Sequence, residues 1–449
     1  MRKFLQSRFV SEYGNFFVLL LLCAYYSFAT LEPYDPVTPR AGQTLARFIV
    51  EQHPQAAVVI ITPDGDQNLV YAAAVEEVLA RGKVHVLAKI AGRPSDAARE
   101  LQALGRANTH VDFVITQYAA AKWPILSEAG RERLAAEHPS LRDVKVVKPA
   151  SYTWPTFLTH GNLRSIMNNI AIIAIIVIGM TMVIITAGID LSVGSLIALS
   201  GVVAAVSVQR MVGDAEPSLG VLLLAGLLAV GLCGLVGLFS GAMVTAFDVP
   251  SFIVTLAIMQ VARGAALEIA QGPSPIEIKS AAFHLLGGGE LLGIPNPVIV
   301  MVVLYLAAHV LMSHTALGRY IYAVGGNPEA ARLSGVPVKR VLLFAYVMCG
   351  ALAGLAGVMD ASLFRVGRAV AGQGYELQII AAVVVGGTSL AGGEGKIFGT
   401  FIGALILSVI QNGMNLTKVE SKRQLIVFGA LILIAVLLDR LKTRGTKTA

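Results

Sequence analysis

The stretch Ile170–Ala187, which reads IAIIAIIVIGMTMVIITA, decides the class of this protein. It carries no charge over nearly the length of about 20 residues that a helix needs to cross a bilayer. From there to Leu438 the chain is apolar almost throughout. Between residues 31 and 150, by contrast, charges return and short apolar runs alternate with amphipathic ones. The sequence therefore predicts a helical membrane protein with one hydrophilic insertion.

The composition excludes a purely soluble enzyme. Of the 449 residues, 55% are hydrophobic and only 14% are charged, with a mean hydropathy of +0.70. Soluble domains average about 25% charged residues, and fewer could not cover a water-exposed surface. The formal net charge of +7 is explained by basic cytoplasmic loops, and nucleic acid is not an expected partner. Three cysteines far apart in apolar runs predict neither disulfides nor a metal site.

About ten apolar segments are predicted to span the membrane, and Gly or Pro interrupts several of them. They are Phe16–Phe28, Ile170–Ala187, Leu191–Val208, Leu219–Ala246, Phe252–Ala270, Pro297–Met312, Val341–Ala361, Leu377–Ala391, Ile397–Met414 and Leu425–Leu438.

The first of these segments, Phe16–Phe28, has two interpretations. A cleavable signal peptide fits, because Ser27-Phe28-Ala29 resembles a small-x-small cleavage site. A retained first span is the favoured interpretation. In both cases the basic end stays inside and the segment that follows is exported. The predicted divisions are 1–30 (tail and first span), 31–150 (an extracytoplasmic lobe), 151–440 (the transmembrane domain) and 441–449 (a cytoplasmic tail).

The distribution of charge agrees with cytoplasmic N- and C-termini. The long basic loop His314–Arg340 then falls inside, as does the C-terminal tail. The basic residues that fall on the cytoplasmic side in this arrangement are Arg2, Lys3, Arg8, Arg319, Arg332, Lys339, Arg340, Arg440, Lys442, Arg444 and Lys447. The loop with Asp214 and Glu216 falls outside. Lys418, Lys422 and Arg423 also fall outside, against the rule.

The insertion alternates strands with helices, which predicts a small parallel α/β lobe. Its strands are predicted at Ala57–Thr62, Val84–Ile90, Val111–Thr116 and Val144–Val147. Helices are expected at Gly42–Gln52, Gln67–Arg81, Ser95–Arg106 and Leu126–Glu137.

The basic loop contains a short capped helix. Asn327 is its expected N-cap, Pro328 its first residue and Gly335 its end. Such a helix between two spans suits docking into a groove of a partner, although an ordinary surface helix has the same pattern. The residues assigned to coupling are Gly326, Asn327, Pro328, Glu329, Ala330, Ala331, Arg332, Leu333, Ser334 and Gly335.

Several catalytic motifs are absent from the sequence. No Walker A pattern occurs, since Gly395-Lys396 is followed by Ile397, so ATP is not expected to bind by that route. No HExxH or GxSxG motif stands out for a membrane peptidase or hydrolase.

Four ordered segments carry a family resemblance. Gly318–Arg340 (GRYIYAVGGNPEAARLSGVPVKR) resembles the coupling loop of monosaccharide ABC transporter permeases of the ribose/xylose/galactose type. The segments 184–200 (IITAGIDLSVGSLIALS), Val249–Gly264 and Gly374–Gly399 agree with it, and the likeness runs from about Phe157 to the C-terminus.

The resemblance implies a transport subunit and not an enzyme. It implies a bacterial cytoplasmic (inner) membrane protein that pairs with a second permease subunit, as a homodimer or a heterodimer. It also implies separate ATPase subunits that bind ATP and Mg, with no cofactor in this chain, and an extracytoplasmic solute-binding protein. Two features depart from the pattern: the α/β insertion, and Gln378 where such permeases often have an acidic residue.

The insertion has a likeness of its own. Its alternation of strands and helices resembles one lobe of a periplasmic sugar-binding protein. Because a two-lobe binder traps its ligand by hinge closure, one lobe is not a full receptor. A packing cap on the outer face is the alternative.

Polar residues inside the apolar region are candidates for the translocation path, because buried ionisable groups in membranes are often functional. They are Asp190, Glu376, Gln378, Thr388, Ser389, Gln411, Asn412 and Asn415. For Asp190, capping of the following helix is preferred over contact with cargo. For the amides, hydrogen bonding between helices is an equal alternative.

Two other functions remain open at this stage. An ion-coupled secondary transporter would show more intramembrane ionisable groups and inverted repeats. A membrane-anchored solute sensor would need fewer spans than this chain provides.

Overall fold

The computed structural model describes residues 8–213 and 215–446, and side chains within residues 14–437 apart from position 214. The predictions for Arg2, Lys3, Asp214 and Lys447 lie outside the described residues, as do the side chains of Arg8, Arg440, Lys442 and Arg444. The chain divides into two units: a lobe of Leu31–Thr156, and a membrane unit made of the segments before and after it. The predicted boundary at residue 150 falls before the last strand of the lobe.

Helix α1 (Arg8–Ala29) precedes the lobe, whose elements alternate as the sequence predicts. The strands are β1 (Leu31–Tyr34), β2 (Ala57–Pro63), β3 (His85–Gly92), β4 (Phe113–Thr116), β5 (Lys145–Val147) and β6 (Tyr152–Pro155). The helices are α2 (Pro39–Gln52), α3 (Asp66–Arg81), α4 (Pro94–Arg106), α5 (Tyr118–Ala121) and α6 (Glu128–Glu137).

A four-stranded parallel sheet in the order β3-β2-β4-β5 forms the centre of the lobe. One face of β2 packs Ile60 against Tyr71 of α3, and the other packs Ile61 against Leu101 of α4. Apolar side chains cover both faces, which is the usual state of parallel strands joined by helices. The sequence did not predict β1 and β6, which pair antiparallel from Leu31↔Pro155 to Tyr34↔Tyr152.

The membrane unit is helical apart from short pieces of strand. The helices are α7 (His160–Ile185), α8 (Val193–Val212), α9 (Leu219–Ala246), α10 (Ser251–Ile269), α11 (Ala281–Gly288), α12 (Asn296–His314), α13 (Ala316–Gly326), α14 (Pro328–Leu333), α15 (Val338–Phe364), α16 (Tyr375–Val385), α17 (Ile397–Leu416) and α18 (Ser421–Thr446). The strands are β7 (Ile276–Glu277), β8 (Glu290–Leu291), β9 (Ile294–Pro295) and β10 (Val366–Gly367).

Within the described residues, 7 helices are long and apolar enough to cross a membrane: α7–α10, α12, α15 and α17. Helix α16 is shorter than the predicted span Leu377–Ala391, because it ends at Val385 after 11 residues. At about 1.5 Å per residue it covers only about half of the hydrocarbon core. The remaining part of the predicted span is a glycine-rich loop.

Small residues allow α15 to pack closely against its neighbours. A Cβ at Gly350 would overlap the carbonyl oxygen of Cys233 in α9. One at Gly357 would overlap the Ser200 hydroxyl in α8. Helices in lipid associate largely through such close approach, since lipid supplies no hydrophobic drive between them. The abundance of glycine in the sequence thus serves helix packing around α15.

Helix α1 belongs to the membrane unit. The Tyr26 ring stacks on Phe157, with ring centroids 6.2 Å apart, and lies against Gly413 of α17. The Asn15 amide donates to the carbonyl of Val385 at 2.7 Å, at the end of α16. These contacts pack α1 against Phe157, the end of α16 and α17.

The fit of Tyr26 against α17 predicts different effects at two helical glycines. We expect Gly413→Ala to lower the apparent melting temperature in detergent by about 4 °C or more, because its Cβ overlaps the ring. Gly429→Ala in α18 is the control, since its Cβ meets nothing within 4 Å. Equal melting temperatures for both variants would contradict the packing of α1 described here.

Candidate functional site

The loop predicted to carry the short capped helix contains it as α14. The Asn327 side chain accepts a hydrogen bond from the Ala330 N–H at 3.0 Å, and Pro328 occupies the first turn. Gly335 has a φ of +84° and donates its N–H to the Arg332 carbonyl at 3.0 Å. The local pattern of cap, proline and glycine therefore forms the helix that it predicts.

Most of α14 faces solvent. Glu329 and Arg332 form an ion pair of 2.9 Å across one turn, and both side chains are exposed. Leu333 is 83% exposed, whereas Ala331 is buried against the membrane unit. An exposed leucine beside an ion pair, on a helix held in place by a small buried residue, is a surface suited to a protein partner.

The segment before α14 is seated directly on the backbone of α7. A Cβ at Gly325 would overlap the Ile185 carbonyl oxygen and come within 2.6 Å of the Gly393 nitrogen. That nitrogen donates to the same Ile185 carbonyl at 2.8 Å. The Tyr322 hydroxyl donates to the Gly395 carbonyl at 2.8 Å. The end of α13, the end of α7 and the loop after α16 thus meet at one place, where each contact involves backbone atoms.

That loop, Gly386–Gly395, needs its glycines. Gly387 and Gly393 have φ values of +90° and +76°, which L side chains rarely adopt. Thr388 is buried, and among the described residues its hydroxyl has no hydrogen-bond partner. The Ser389 hydroxyl accepts from the Ala391 N–H at 3.3 Å. Thr388 therefore donates to no carbonyl among the described residues, whereas Ser389 organises the turn.

The turn between α7 and α8 holds Asp190, which is fully buried. Its carboxylate accepts from the Ser192 N–H at 2.9 Å and from the Ser192 hydroxyl at 2.6 Å. The predicted N-cap role is wrong in detail: Ser192 is the N-cap of α8, and Asp190 braces it from two residues upstream. The Ser251 hydroxyl of α10 accepts from the Ile189 N–H at 3.2 Å and ties down the same turn.

A second break in helical structure follows α15, where residues 366–374 run back along α8. The Arg263 guanidinium of α10 donates to the carbonyls of Ala369 and Ala371 at 2.7 and 2.8 Å, and to that of Gly194 at 3.3 Å. Glu376, at the start of α16, attracts Arg263 electrostatically and lies against Gly194. Arg263 therefore joins α10 to residues 366–374 and to the start of α8 through backbone carbonyls.

The sequence analysis did not single out Arg263. An arginine inside the otherwise apolar run Phe252–Ala270 was the available signal. Gln378 is half-buried on α16, two residues beyond Glu376. Asp360 in α15 is nearly buried and accepts from Arg368 at 2.8 Å, so it is satisfied within the fold.

The predicted amides are found at the opposite end of α7 from Ile185. The side chains of Asn412 and Asn162 exchange hydrogen bonds of 2.7 and 3.0 Å. The side-chain oxygen Oδ1 of Asn415 accepts from the Gln424 amide at 2.9 Å. Gln411 is half-buried beside them. These contacts match the alternative of hydrogen bonds between helices. The eight path candidates are therefore not one cluster but fall into three places: this end of α7, the start of α8, and the glycine loop beside α14.

Metal binding finds no support in the described part of the chain, where no three His, Cys, Asp or Glu side chains are grouped suitably.

Apolar helices of spanning length, interrupted helical segments and one exposed short helix together make this a polytopic helical membrane protein. The family described as branched-chain amino acid transport system / permease component matches residues 162–436. The match covers more than half of the chain, so the chain belongs to this family, a transport component and not an enzyme. The lobe Leu31–Thr156 lies outside the match.

Several named relatives are similar to this chain. The ribose import permease protein of Escherichia coli (strain K12) is 45% identical over 292 residues, which cover 64% of this chain and 88% of the relative. That of Bacillus subtilis (strain 168) is 43% identical over 291 residues, covering 64% and 88%. The D-allose transport system permease protein of Escherichia coli (strain K12) is 38% identical over 285 residues, covering 64% and 85%. The resemblance to monosaccharide ABC permeases is confirmed. No solved structure matches.

Two neighbouring glycines test the contact between α13 and α7. We expect Gly325→Ala to lower the apparent melting temperature by about 4 °C or more, because its Cβ overlaps the Ile185 carbonyl. Gly326→Ala is the matched control, since its Cβ meets no atom within 4 Å. A Gly325→Ala protein that melts with the control would show that the contact is absent in solution.

Proposed function

We propose that this chain is the membrane-spanning permease subunit of an ABC importer for a monosaccharide or a similar solute. The observation that carries the proposal is the exposed helix α14, which directly follows α13 at the point where Gly325 of α13 contacts the backbone of α7 and the glycine loop. The family match supports a permease, and relatives named for ribose and allose support a sugar.

The coupling role belongs to residues Gly326–Gly335. In this proposal a separate ATPase subunit, which binds ATP and Mg, receives α14 in a groove, with Leu333 as the apolar anchor. Movement of α14 displaces α13, and the Gly325 contact transmits that displacement to Ile185 and to the glycine loop. The turn at Asp190 directly follows the end of α7. The segment 366–374, which Arg263 holds, is joined to the glycine loop by α16. Two such permease subunits, in a homodimer or a heterodimer, then alternate access between the two sides.

The remaining assignments follow from this orientation. The protein is a multi-pass protein of the bacterial inner membrane, and we place both of its termini and α14 in the cytoplasm, with about ten spans. The lobe that follows α1 is then extracytoplasmic, where an extracytoplasmic solute-binding protein delivers cargo. Of the path candidates, Asp190, Glu376 and Gln378, near the breaks in helical structure, are favoured over the paired amides Asn412 and Asn415.

Reconstitution tests the proposal. The purified chain, in liposomes with its ATPase and solute-binding partners, should accumulate a labelled monosaccharide only when ATP is supplied. D-ribose, D-allose and L-arabinose form the first panel, chosen from the names of the relatives. Accumulation by the chain alone, without nucleotide, would instead indicate an ion-coupled secondary transporter. Ligand binding without any transport would indicate a sensor.

The anchor role of Leu333 predicts a loss of coupling without a loss of fold. We expect Leu333→Asp to weaken retention of the ATPase about tenfold or more and to abolish uptake, because docking would bury an unpaired carboxylate. Its melting temperature should stay near that of the wild type, since the side chain is exposed.

Leu292→Asp is the control for this variant. Leu292 is 95% exposed in the turn between β8 and β9, and its φ of +54° is one that Asp tolerates. It should keep both the ATPase and uptake. Normal ATPase retention by Leu333→Asp would remove the anchor from the proposal.

A further inference from the structure

One face of α7 changes character along its length. From Ile170 to Ile185 the helix is almost wholly apolar and buried. At its other end, Gly161, Arg164, Ser165 and Asn168 follow a spacing of three, four and seven residues, which places them on one face. A polar face on a helix of this kind requires polar neighbours or a water-filled space.

That face lines a wide, open recess of about 430 Å³. Small-molecule sites occupy about 300–1,000 Å³, so the cavity can hold one small solute. We call it the Asn168 recess; the residues that matter to the argument are Arg164, Ser165, Asn168, Asn169, Leu363 and Phe364. Helix α7 supplies the polar wall, and the end of α15 supplies the apolar one.

Asn168 is the most informative of these residues. Its Oδ1 atom is buried, and within the described residues it has no hydrogen-bond partner. More than about 90% of buried polar groups have such a partner, so this atom marks a place where one is missing. An amide can accept from and donate to hydroxyl groups, which themselves do both. Asn168 lines the recess, and a half-turn of its amide brings the oxygen to the side where a hydroxyl-bearing ligand would meet it.

The charges in the recess favour a neutral ligand. Arg164 is the charged residue among those lining it, and its guanidinium is paired with the Glu290 carboxylate. An ion pair leaves no net charge to attract an anion or a cation. Leu363 and half-exposed Phe364 offer apolar surface beside the amides. A compact solute with hydroxyls on one side and C–H groups on another fits both walls.

The position of the recess relates it to transport. At its carboxyl end, α7 contacts Gly325 of α13, the helix before α14, through Ile185. The 26 residues of α7 span about 39 Å. The recess thus lies at the end of α7 remote from the proposed ATPase. We propose that the Asn168 recess is a contact site for a neutral, polyhydroxylated solute as it enters the permease. This assignment rests on the proposed function.

Substitution of Asn168 tests the recess in the reconstituted transporter. Asn168→Leu replaces the amide with an apolar side chain of similar shape and should lower kcat/KM for ATP-driven uptake of the transported monosaccharide about tenfold, the usual loss for one hydrogen bond and its desolvation. ATPase activity stimulated by the solute-binding protein, and the melting temperature, should stay unchanged. Asn168→Gln, which keeps the amide, should retain more uptake than Asn168→Leu.

A chemical arm keeps the test valid where Asn168→Leu folds poorly. Ser165→Cys places a thiol in the recess, and Leu163→Cys places one on another face of the same helix, where the side chain is 39% exposed. A charged methanethiosulfonate reagent, with labelling verified by mass, should block uptake by Ser165→Cys and spare Leu163→Cys. The wild type, with Cys23, Cys233 and Cys349, gives the background.

Two outcomes separate this inference from the proposed function. Wild-type uptake rates in both Asn168→Leu and fully labelled Ser165→Cys would overturn the recess and leave sugar import intact. A wild-type complex that hydrolyses ATP but transports none of the panel sugars would overturn sugar import itself, and the role of the recess with it.

Discussion

The backbone carbonyl of Ile185 is the point on which the membrane unit depends. The last carbonyls of a helix have no partner inside that helix, and an unpaired carbonyl in an apolar interior is costly. Here the Gly393 N–H supplies the hydrogen bond at 2.8 Å, and Gly325 lies against the same oxygen. Displacement of α13 toward α7 would press Gly325 onto this oxygen, and displacement away from the loop would break the hydrogen bond from the Tyr322 hydroxyl to the Gly395 carbonyl. The six-residue helix α14 follows directly after this contact along the chain.

The same constraint governs the other breaks in helical structure. Non-helical backbone within a membrane is tolerated only where protein satisfies its polar groups. Asp190 and Ser251 do this for the turn between α7 and α8, and Arg263 does it for residues 366–374. Three polar side chains tie these two breaks, and two of them, Ser251 and Arg263, come from α10. Helix α10 is consequently a structural link between two non-helical segments that face the start of α8.

Local patterns were enough to predict part of this architecture. The cap at Asn327, the glycine at Gly335 and the bounds of most helices depend on neighbours within a few residues, and the structure places them close to the predicted positions. Contacts between residues far apart along the chain could not be predicted from local sequence patterns. The pairing of Asn412 with Asn162 joins positions 250 residues apart, and only this pairing shows that these amides are already satisfied. Arg263 was missed because its partners are carbonyls, which every residue carries.

The sequence by itself determined the class of the protein. Long uncharged runs that cross lipid must satisfy their own backbone hydrogen bonds, and in such runs the helix does so. It also determined the family and the short capped helix, because these depend on local order along the chain. Only the tertiary structure decided that the span expected after Leu377 stops at Val385, that Ser192 and not Asp190 caps α8, and that α13, the helix before α14, lies against α7. The reason is physical: hydropathy and capping signals act over a few residues, whereas the satisfaction of buried backbone is decided by whatever segment packs against it.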